Sequence, residues 1–266
     1  MKISNAIIYL FLLSPNLTHA AAIWPTLNDD WVAVTINKGA GYYGDISQDE
    51  SPTSVDMVGN DTTPMLFWHY QDNGTVDQSD DQIQFRLRID DEANNPQYAW
   101  QIVFDTDTDA GIDYVLELDY SGNPDKICFT STIIGGEGID ETIADVTFDT
   151  DNPIWTTENV IAYSRFITTG DGINLGKAGS EDFYVDIAMD WNTFSTATNI
   201  GLTDTFRFGA STSATDQSIN KDVPQGLDPS DPVASIFGDS VVPLPEPSSV
   251  SLLALGFCGL AMRRKR

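Results

Sequence analysis

The stretch DQIQFRLRID, residues 81–90, alternates apolar and polar side chains along its length. Successive side chains of an extended chain point to opposite faces, so this order produces one apolar and one polar face. The apolar face consists of Ile83, Phe85, Leu87 and Ile89. The polar face carries Arg86 and Arg88, which could bind an anionic glycan but are expected to pair with neighbouring carboxylates. The stretch predicts a β-strand.

Further runs have the same character: they are short, rich in β-branched and aromatic residues, and separated by clusters of Gly, Asn, Asp and Pro. They cover residues 31–37, 64–71, 98–106, 113–121, 126–132, 160–167, 183–191 and 205–213. Residues 190–201, DWNTFSTATNIG, suggest a single helical turn. This pattern predicts an all-β fold, a single antiparallel β-sandwich of jelly-roll type over residues 23–215.

The composition is strongly acidic. The 266 residues include 13 Lys and Arg against 40 Asp and Glu, a formal net charge of −27 at pH 7. The 6 Trp, 13 Phe and 9 Tyr predict a packed core under this acidic surface, because a disordered acidic chain would lack them. Such a surface repels a phosphate backbone, which argues against nucleic acid binding. Divalent cations are its natural partners.

The N-terminus, MKISNAIIYLFLLSPNLTHAAAIW, has the layout of a secretory signal peptide. Lys2 precedes an apolar run at residues 6–13, and small residues suited to cleavage follow at 18–20 or 20–22. The apolar run is too short to span a bilayer, and the alternative is a buried N-terminal helix. We expect residues 1–22 to act as a signal peptide for export.

The C-terminus has three parts: Pro245-Glu246-Pro247, a short apolar segment and a cluster of cations. The cations are Arg263, Arg264, Lys265 and Arg266. As a helix, residues 248–262 would reach about 22 Å, less than the roughly 30 Å hydrocarbon core. Such a segment suits a transient membrane stop with its cations in the cytoplasm, and the alternative is an anchor that is never cut. Residues 216–244, rich in Pro, Asp and Ser, predict an extended spacer before it, although Ile236 and Phe237 could still pack on the domain.

The order of these parts in residues 245–266 resembles the PEP-CTERM sorting signal of Gram-negative bacteria. The resemblance implies that an exosortase, a membrane-embedded enzyme, recognises and cuts the tail. It also implies that the processed protein goes to the cell surface or the extracellular matrix, together with exopolysaccharide made by the host. Contact with the membrane would then occur only through the C-terminal segment, before processing.

Removal of both ends would leave Cys128 and His69 as the only residues of their types. One cysteine cannot form an intramolecular disulfide, despite the oxidising compartment. One histidine excludes a multi-histidine zinc site.

The stretch FDTDTDAGIDYVLELDY, residues 104–120, places Asp105, Asp107, Asp109 and Asp113 around Gly111. Alternate carboxylates in a tight turn can converge on one point, as in the oxygen-rich loops that bind Ca²⁺. The loop is not an EF-hand, since its Gly is displaced, the final Glu is missing and its flanks are predicted strands. The four aspartates predict a Ca²⁺ site, and the alternative is a solvated turn whose Asp side chains cap their own backbone.

The FRLRI strand, the strand W-x-I-V-F-D-T-D, the aspartate turn and D-Y-V-L-E-L-D lie within residues 81–131. Their order resembles family 9 carbohydrate-binding modules and DOMON-like sandwiches. The resemblance implies a β-sandwich and makes the four aspartates of the turn its ion-binding candidates. No glycan-contacting residue carries over from that family.

Aromatic residues are the remaining candidates for ligand contact. Tyr42 and Tyr43 lie between glycines in KGAGYYGD, residues 38–45, and could form a contact surface or anchor the loop. Four tryptophans could stack on sugar rings, although in strands such residues usually belong to the core: Trp68, Trp100, Trp155 and Trp191.

The sequence therefore predicts an exported, exosortase-processed surface or matrix protein with a binding or structural role. We expect it to be stabilised by Ca²⁺ and associated with exopolysaccharide. The alternative is a secreted glycan-active enzyme, a hydrolase or lyase, because two carboxylates across a cleft suffice for glycoside cleavage. No pair of acids in the sequence is marked for that role.

Overall fold

The computed structural model describes residues 21–243, except residues 27, 37, 46–49, 76, 93–96, 135–140 and 229. The predicted signal peptide up to residue 20 lies outside the described residues, as do the predicted sorting signal and its C-terminal helix. Within the described part, no helix is both long enough and apolar enough to cross a membrane. The described chain is mostly β-structure, as predicted, and its strands pair in antiparallel sheets.

The first sheet has five strands in the order β1-β4-β5-β12-β11. Its strands are β1 (Val32–Ala33), β4 (Leu66–Gln71), β5 (Gln82–Ile89), β11 (Ser164–Thr168) and β12 (Phe183–Asp190). The strand predicted from residues 81–90 lies at the centre of this sheet, between β4 and β12. A short two-stranded pair stands apart, formed by β2 (Thr35–Ile36) and β3 (Gly41–Tyr42).

The second sheet has six strands, with the order β10-β8-β7-β6-β13 and β9 paired to β8. Its strands are β6 (Ala99–Asp105), β7 (Tyr114–Asp119), β8 (Lys126–Ile134), β9 (Thr147–Phe148), β10 (Trp155–Thr157) and β13 (Arg207–Ser213). The predicted aspartate turn connects β6 to β7, which are neighbours in the sheet. The sheet therefore holds both ends of that turn in place.

Two short helices depart from the predicted strand pattern. Helix α1 (Val160–Tyr163) occupies the start of a run predicted to be strand, and only its second half enters β11. Helix α2 (Trp191–Thr198) extends the predicted single turn to eight residues and ends at Asn199, whose φ of 58° is left-handed. Asn tolerates this conformation and commonly closes helices.

Aromatic rings from the two sheets meet in one hydrophobic core. The ring of Phe85 on β5 lies 5.3 Å from that of Phe104 on β6 and 5.1 Å from that of Phe208 on β13. All four apolar residues predicted for the inner face of β5 are buried in this core. The alternation read from residues 81–90 is therefore confirmed.

The polar face of β5 is buried as well. The side chains of Arg86 and Arg88 are 2% and 1% exposed. Arg86 pairs with Asp186 at 2.7 Å, and Arg88 pairs with Asp182 at 2.7 Å. These ion pairs confirm the predicted pairing with carboxylates. Two aromatic rings help to cover the guanidinium group of Arg86, those of Trp31 and Tyr184, at 4.2 and 4.3 Å.

The segment expected to be an extended spacer instead packs on the outer face of the six-stranded sheet. We call residues 216–241 the cover segment. Its apolar side chains form a second core with the sheet, and they are Ile219, Val223, Val233, Ile236 and Phe237. Gly209 on β13 permits this approach, because a side chain there would collide with the carbonyl group of Ile236. The packed part therefore extends well beyond the expected boundary at residue 215. The apolar residues spaced among the prolines and aspartates were the signal for this packing.

Candidate functional site

The aspartate turn brings three of the four predicted ligands together. Carboxylate oxygens of Asp105, Asp107 and Asp109 all lie within 4.8 Å of one another. Asp105 is buried at the end of β6, whereas Asp107 and Asp109 are exposed. One buried and two exposed carboxylates therefore face a common point, where a cation such as Ca²⁺ would find oxygen ligands.

The same side chains also shape the backbone of the turn. Asp105 Oδ1 accepts the Thr108 N–H at 2.6 Å, Asp107 Oδ1 accepts the Asp109 N–H at 3.1 Å, and Asp109 Oδ1 accepts the Gly111 N–H at 2.8 Å. These bonds support the left-handed conformation of Thr108, whose φ is 70°. The turn therefore combines the two interpretations that the sequence left open, backbone capping and carboxylates gathered at one point.

Asp113, the fourth predicted ligand, is directed elsewhere. Its Oδ2 accepts the backbone N–H and the hydroxyl of Thr106, both at 2.7 Å. Burial raises the pKa of Asp113, although these two hydrogen bonds oppose the shift. The side chain thus closes the base of the turn and is not a member of the three-carboxylate group.

Asp105 already has a cationic partner. Arg207 on β13 directs Nη2 at Asp105 Oδ2, and the two residues are direct neighbours across the sheet. The ring of Phe237 from the cover segment lies 5.2 Å from the guanidinium carbon of Arg207. An ion in the turn would therefore be held mainly by the oxygens of Asp107 and Asp109, with Asp105 shared between Arg207 and the ion.

A second carboxylate group was not predicted from the sequence. Oxygens of Asp45, Asp56 and Asp222 lie within 4.8 Å of one another, and all three residues are buried. Asp45 Oδ1 accepts the Gly226 N–H at 3.0 Å, and Asp222 Oδ2 accepts the Met57 N–H at 2.5 Å. Like charges this close favour a bound cation or a shared proton. Only folding brings these residues together, since Asp222 belongs to the cover segment.

The two predicted tyrosines have different surroundings. Tyr42 is 37% exposed and lines a surface pocket of about 440 Å³ together with Asp45, Asn60 and Asp61. Tyr43 is fully buried, and its hydroxyl donates to the carbonyl group of Ile236. Tyr43 therefore anchors the loop to the cover segment, and Tyr42 alone remains a candidate for ligand contact.

A larger groove of about 890 Å³ lies beside the C-terminal half of β4. Its walls include Trp24, Trp68 and His69, and its rim carries Asp29 and Asp30. His69 Nδ1 lies 2.9 Å from the carbonyl oxygen of Asp30, which can only accept, so Nδ1 carries the proton. Trp68, Trp100 and Trp191 belong to the core, while Trp155 is partly buried against it.

Cys128 lies in a buried polar cluster on the outer face of the six-stranded sheet. Glu117 is fully buried, and its Oε2 accepts a hydrogen bond of 2.6 Å from the Gln101 side chain. Burial raises the pKa of Glu117 well above its ordinary value, and the neighbouring Asp119 adds to the shift. Burial and Glu117 also raise the pKa of Cys128. The thiol is therefore held in its protonated, unreactive form.

No family model, no curated protein and no solved structure matches this chain.

Proposed function

We propose that this chain is an exported surface or matrix protein whose folded domain binds Ca²⁺ and associates with exopolysaccharide. The observation that carries the proposal is the convergence of the carboxylates of Asp105, Asp107 and Asp109 in a chain with a net charge of −27. A divalent cation would relieve the repulsion among these groups and could bridge them to a polysaccharide. Three protein carboxylates leave coordination positions open, because Ca²⁺ takes six to eight oxygen ligands.

We also propose that the two sheets form one β-sandwich of jelly-roll type. The contacts of Phe85 with rings on β6 and β13 support this arrangement. The sandwich presents the aspartate turn at the ends of β6 and β7, where the turn is accessible through the exposed side chains of Asp107 and Asp109.

The proposed route to the surface depends on the two ends of the chain. The signal peptide directs export, and the residues from Pro245 to Arg266 act as the exosortase sorting signal. The resemblance of the last residues to PEP-CTERM signals supports this route. Mass spectrometry of the protein recovered from the matrix tests it: the proposal expects a product without Arg263–Arg266, and a product that keeps Arg266 would overturn the sorting step.

Binding is tested with the exported protein and exopolysaccharide from the producing organism. Saturable binding in millimolar Ca²⁺ that is lost in EDTA is the expected result. Mg²⁺ at the same concentration is the matched control for a nonspecific effect of divalent charge. Equal binding in Ca²⁺ and EDTA would remove calcium from the proposed mechanism, and no binding in either buffer would leave only a structural role.

A second candidate function is cleavage of a glycan, favoured by the groove beside β4. Asp29, Asp30 and Asp72 place carboxylates along a groove that also contains Trp68. Such a groove could hold a glycan with an acid on either side of a glycosidic bond. Incubation with the producer's polysaccharide tests this alternative, because released oligosaccharides would identify an enzyme.

A further inference from the structure

Hydrogen bonds hold the last described residues to the folded domain, close to the predicted sorting signal. The Val241 N–H donates to the Phe206 carbonyl group at 2.9 Å, and the Phe206 N–H donates to the Val241 carbonyl group at 3.2 Å. Three residues before Val241, the Gly238 N–H donates to the Phe208 carbonyl group at 3.0 Å. The backbone is therefore tied to β13 and to the residue that precedes it.

Asp239 adds a second set of bonds in the same place. Its carboxylate accepts the Thr35 hydroxyl at 2.8 Å and the N–H groups of Lys38 and Gly39 at 2.9 Å each. The hydrogen bonds to the Lys38 and Gly39 N–H groups and to the Thr35 hydroxyl lower the pKa of Asp239 despite its partial burial. Pro243, two residues beyond Val241, is also buried, so the chain stays in contact with the folded domain up to the last described residue.

We call Pro243 the exit point, and only Leu244 separates it from Pro245. A fully extended chain advances about 3.5 Å per residue, so Pro245 can lie at most about 7 Å from Pro243. An enzyme that binds the Pro245-Glu246-Pro247 motif while the domain is folded must touch the surface around the exit. This step rests on the proposed exosortase processing.

The surface at the exit is the groove beside β4, because Val242 lines it. Ile23 and Val32 line the same groove and are 52% and 50% exposed. Exposed large apolar side chains that line one groove are typical of interaction sites. Three acidic residues, all exposed, line it as well: Asp29, Asp30 and Asp72.

We propose that this exit groove is the docking surface for the exported side of the sorting enzyme, which presents basic and apolar side chains to it. The apolar residues would supply the anchor and the carboxylates the charge complementarity. A protein partner fits better than the membrane itself, because anionic lipid headgroups would be repelled by this acidic rim.

The experiment follows processing of the full chain in the producing organism by pulse-chase, with the mass of the product as readout. The variant Asp29→Lys/Asp30→Lys reverses the charge of the groove. Processing is expected to slow by about tenfold, because rim charges act mainly on the association rate. The matched control is Asp125→Lys/Asp151→Lys, which reverses two exposed acids outside the groove and should process at the normal rate.

A longer connection between the folded domain and the sorting signal distinguishes docking on the groove from simple obstruction by it. Twenty Gly and Ser residues inserted between Pro243 and Leu244 would span roughly 25 Å on average. In this background the charge-reversed and unaltered chains are expected to process at similar rates, since contact with the groove is no longer imposed. Faster processing of the unaltered chain with the insertion, together with no effect of charge reversal, would make the groove an obstacle and overturn the proposal.

Two further outcomes are decisive. Faster processing after charge reversal would indicate contact with anionic lipid and would also overturn the proposal. Normal processing of the charge-reversed chain would overturn the docking proposal alone. If the unaltered chain keeps Arg266 throughout the chase, as a Glu246→Ala control is expected to do, the sorting and docking proposals fail together.

Discussion

Arg86 on β5 and Asp186 on β12 form a two-point ion pair inside the protein, with Nε and Nη2 donating to the two carboxylate oxygens at 2.7 and 2.9 Å. Asp186 also accepts a bond of 2.7 Å from Arg165 on β11. One buried carboxylate therefore joins three adjacent strands. The pair uses the planar fork that distinguishes arginine from lysine.

Replacement of the Asp186 carboxylate is expected to destabilise the folded protein severely. Asp186→Asn would leave the buried guanidinium of Arg86 without its counter-charge, and loss of one partner of a buried pair typically costs about 3–5 kcal/mol. Lys221→Met is the matched control, because Lys221 pairs with Glu50 at 3.6 Å near the surface, and we expect about 0–1 kcal/mol. Urea unfolding of both variants measures the difference. Similar losses of unfolding free energy in the two variants would show that the buried ion pair stabilises the fold no more than the surface pair does.

Glu117 should make stability depend on pH. Burial raises its folded-state pKa well above the unfolded value, so the folded protein binds a proton that the unfolded chain releases. Its contribution to the free energy of unfolding is therefore full below the unfolded pKa and declines as the pH rises towards the folded pKa, by up to about 1.4 kcal/mol per pH unit. Glu117→Gln should remove this decline.

The measurement is the free energy of unfolding between pH 4 and pH 8 for the unaltered protein and for Glu117→Gln. Glu158→Gln is the control, since that residue is exposed. The expected result is a shallower decline in the Glu117 variant only. Parallel pH profiles for all three proteins would show that Glu117 is not protonated in the folded state.

Calcium should stabilise the folded protein through the aspartate turn. At a concentration about 100-fold above Kd, binding adds about 2.7 kcal/mol, which corresponds to a rise in Tm of roughly 5–10 °C for a domain of this size. Asp107→Asn should abolish most of that rise, because it removes one charge from the group while its side-chain oxygen can still accept the Asp109 N–H.

Two further variants test which carboxylates bind the ion. Asp151→Asn changes an exposed acid outside both carboxylate groups and should keep the full rise in Tm. Asp56→Asn tests the buried group of Asp45, Asp56 and Asp222. A rise that survives Asp107→Asn but disappears in Asp56→Asn would move the ion to the buried group.

The cover segment should contribute to folding as part of the core. Ile236→Ala removes a fully buried side chain from the second core, and such changes cost about 2–5 kcal/mol. Ile161→Ala is the control, because Ile161 is 85% exposed and should change stability by no more than about 0.5 kcal/mol. Chemical unfolding provides both values. If Ile236→Ala is as mild as the control, residues 216–241 behave as the spacer that their composition suggests.

The position of the central strand could be predicted from residues 81–90 because strand periodicity is a local property. Residues two apart share a face, so the inner set that includes Phe85 is visible without any knowledge of its partners. The same holds for the aspartate turn, whose members are close in sequence and are brought together by a single connection between neighbouring strands. The position of α1 was not predicted, because β-branched and aromatic residues in a four-residue segment are compatible with either structure.

Tertiary structure alone decided three features, all of which join residues far apart in the chain. It placed Asp222 beside Asp45 and Asp56, paired Arg207 with Asp105, and packed the cover segment on a sheet face that local sequence cannot reveal. The composition of residues 216–241 suggests an extended chain, but the side chains of Ile236 and Phe237 are buried, and removal of their apolar surface from water stabilises the packing. The strand faces and the local turn follow from residues that are close in the chain. The meeting of Asp45, Asp56 and Asp222 follows from folding, since it depends on contacts between distant segments.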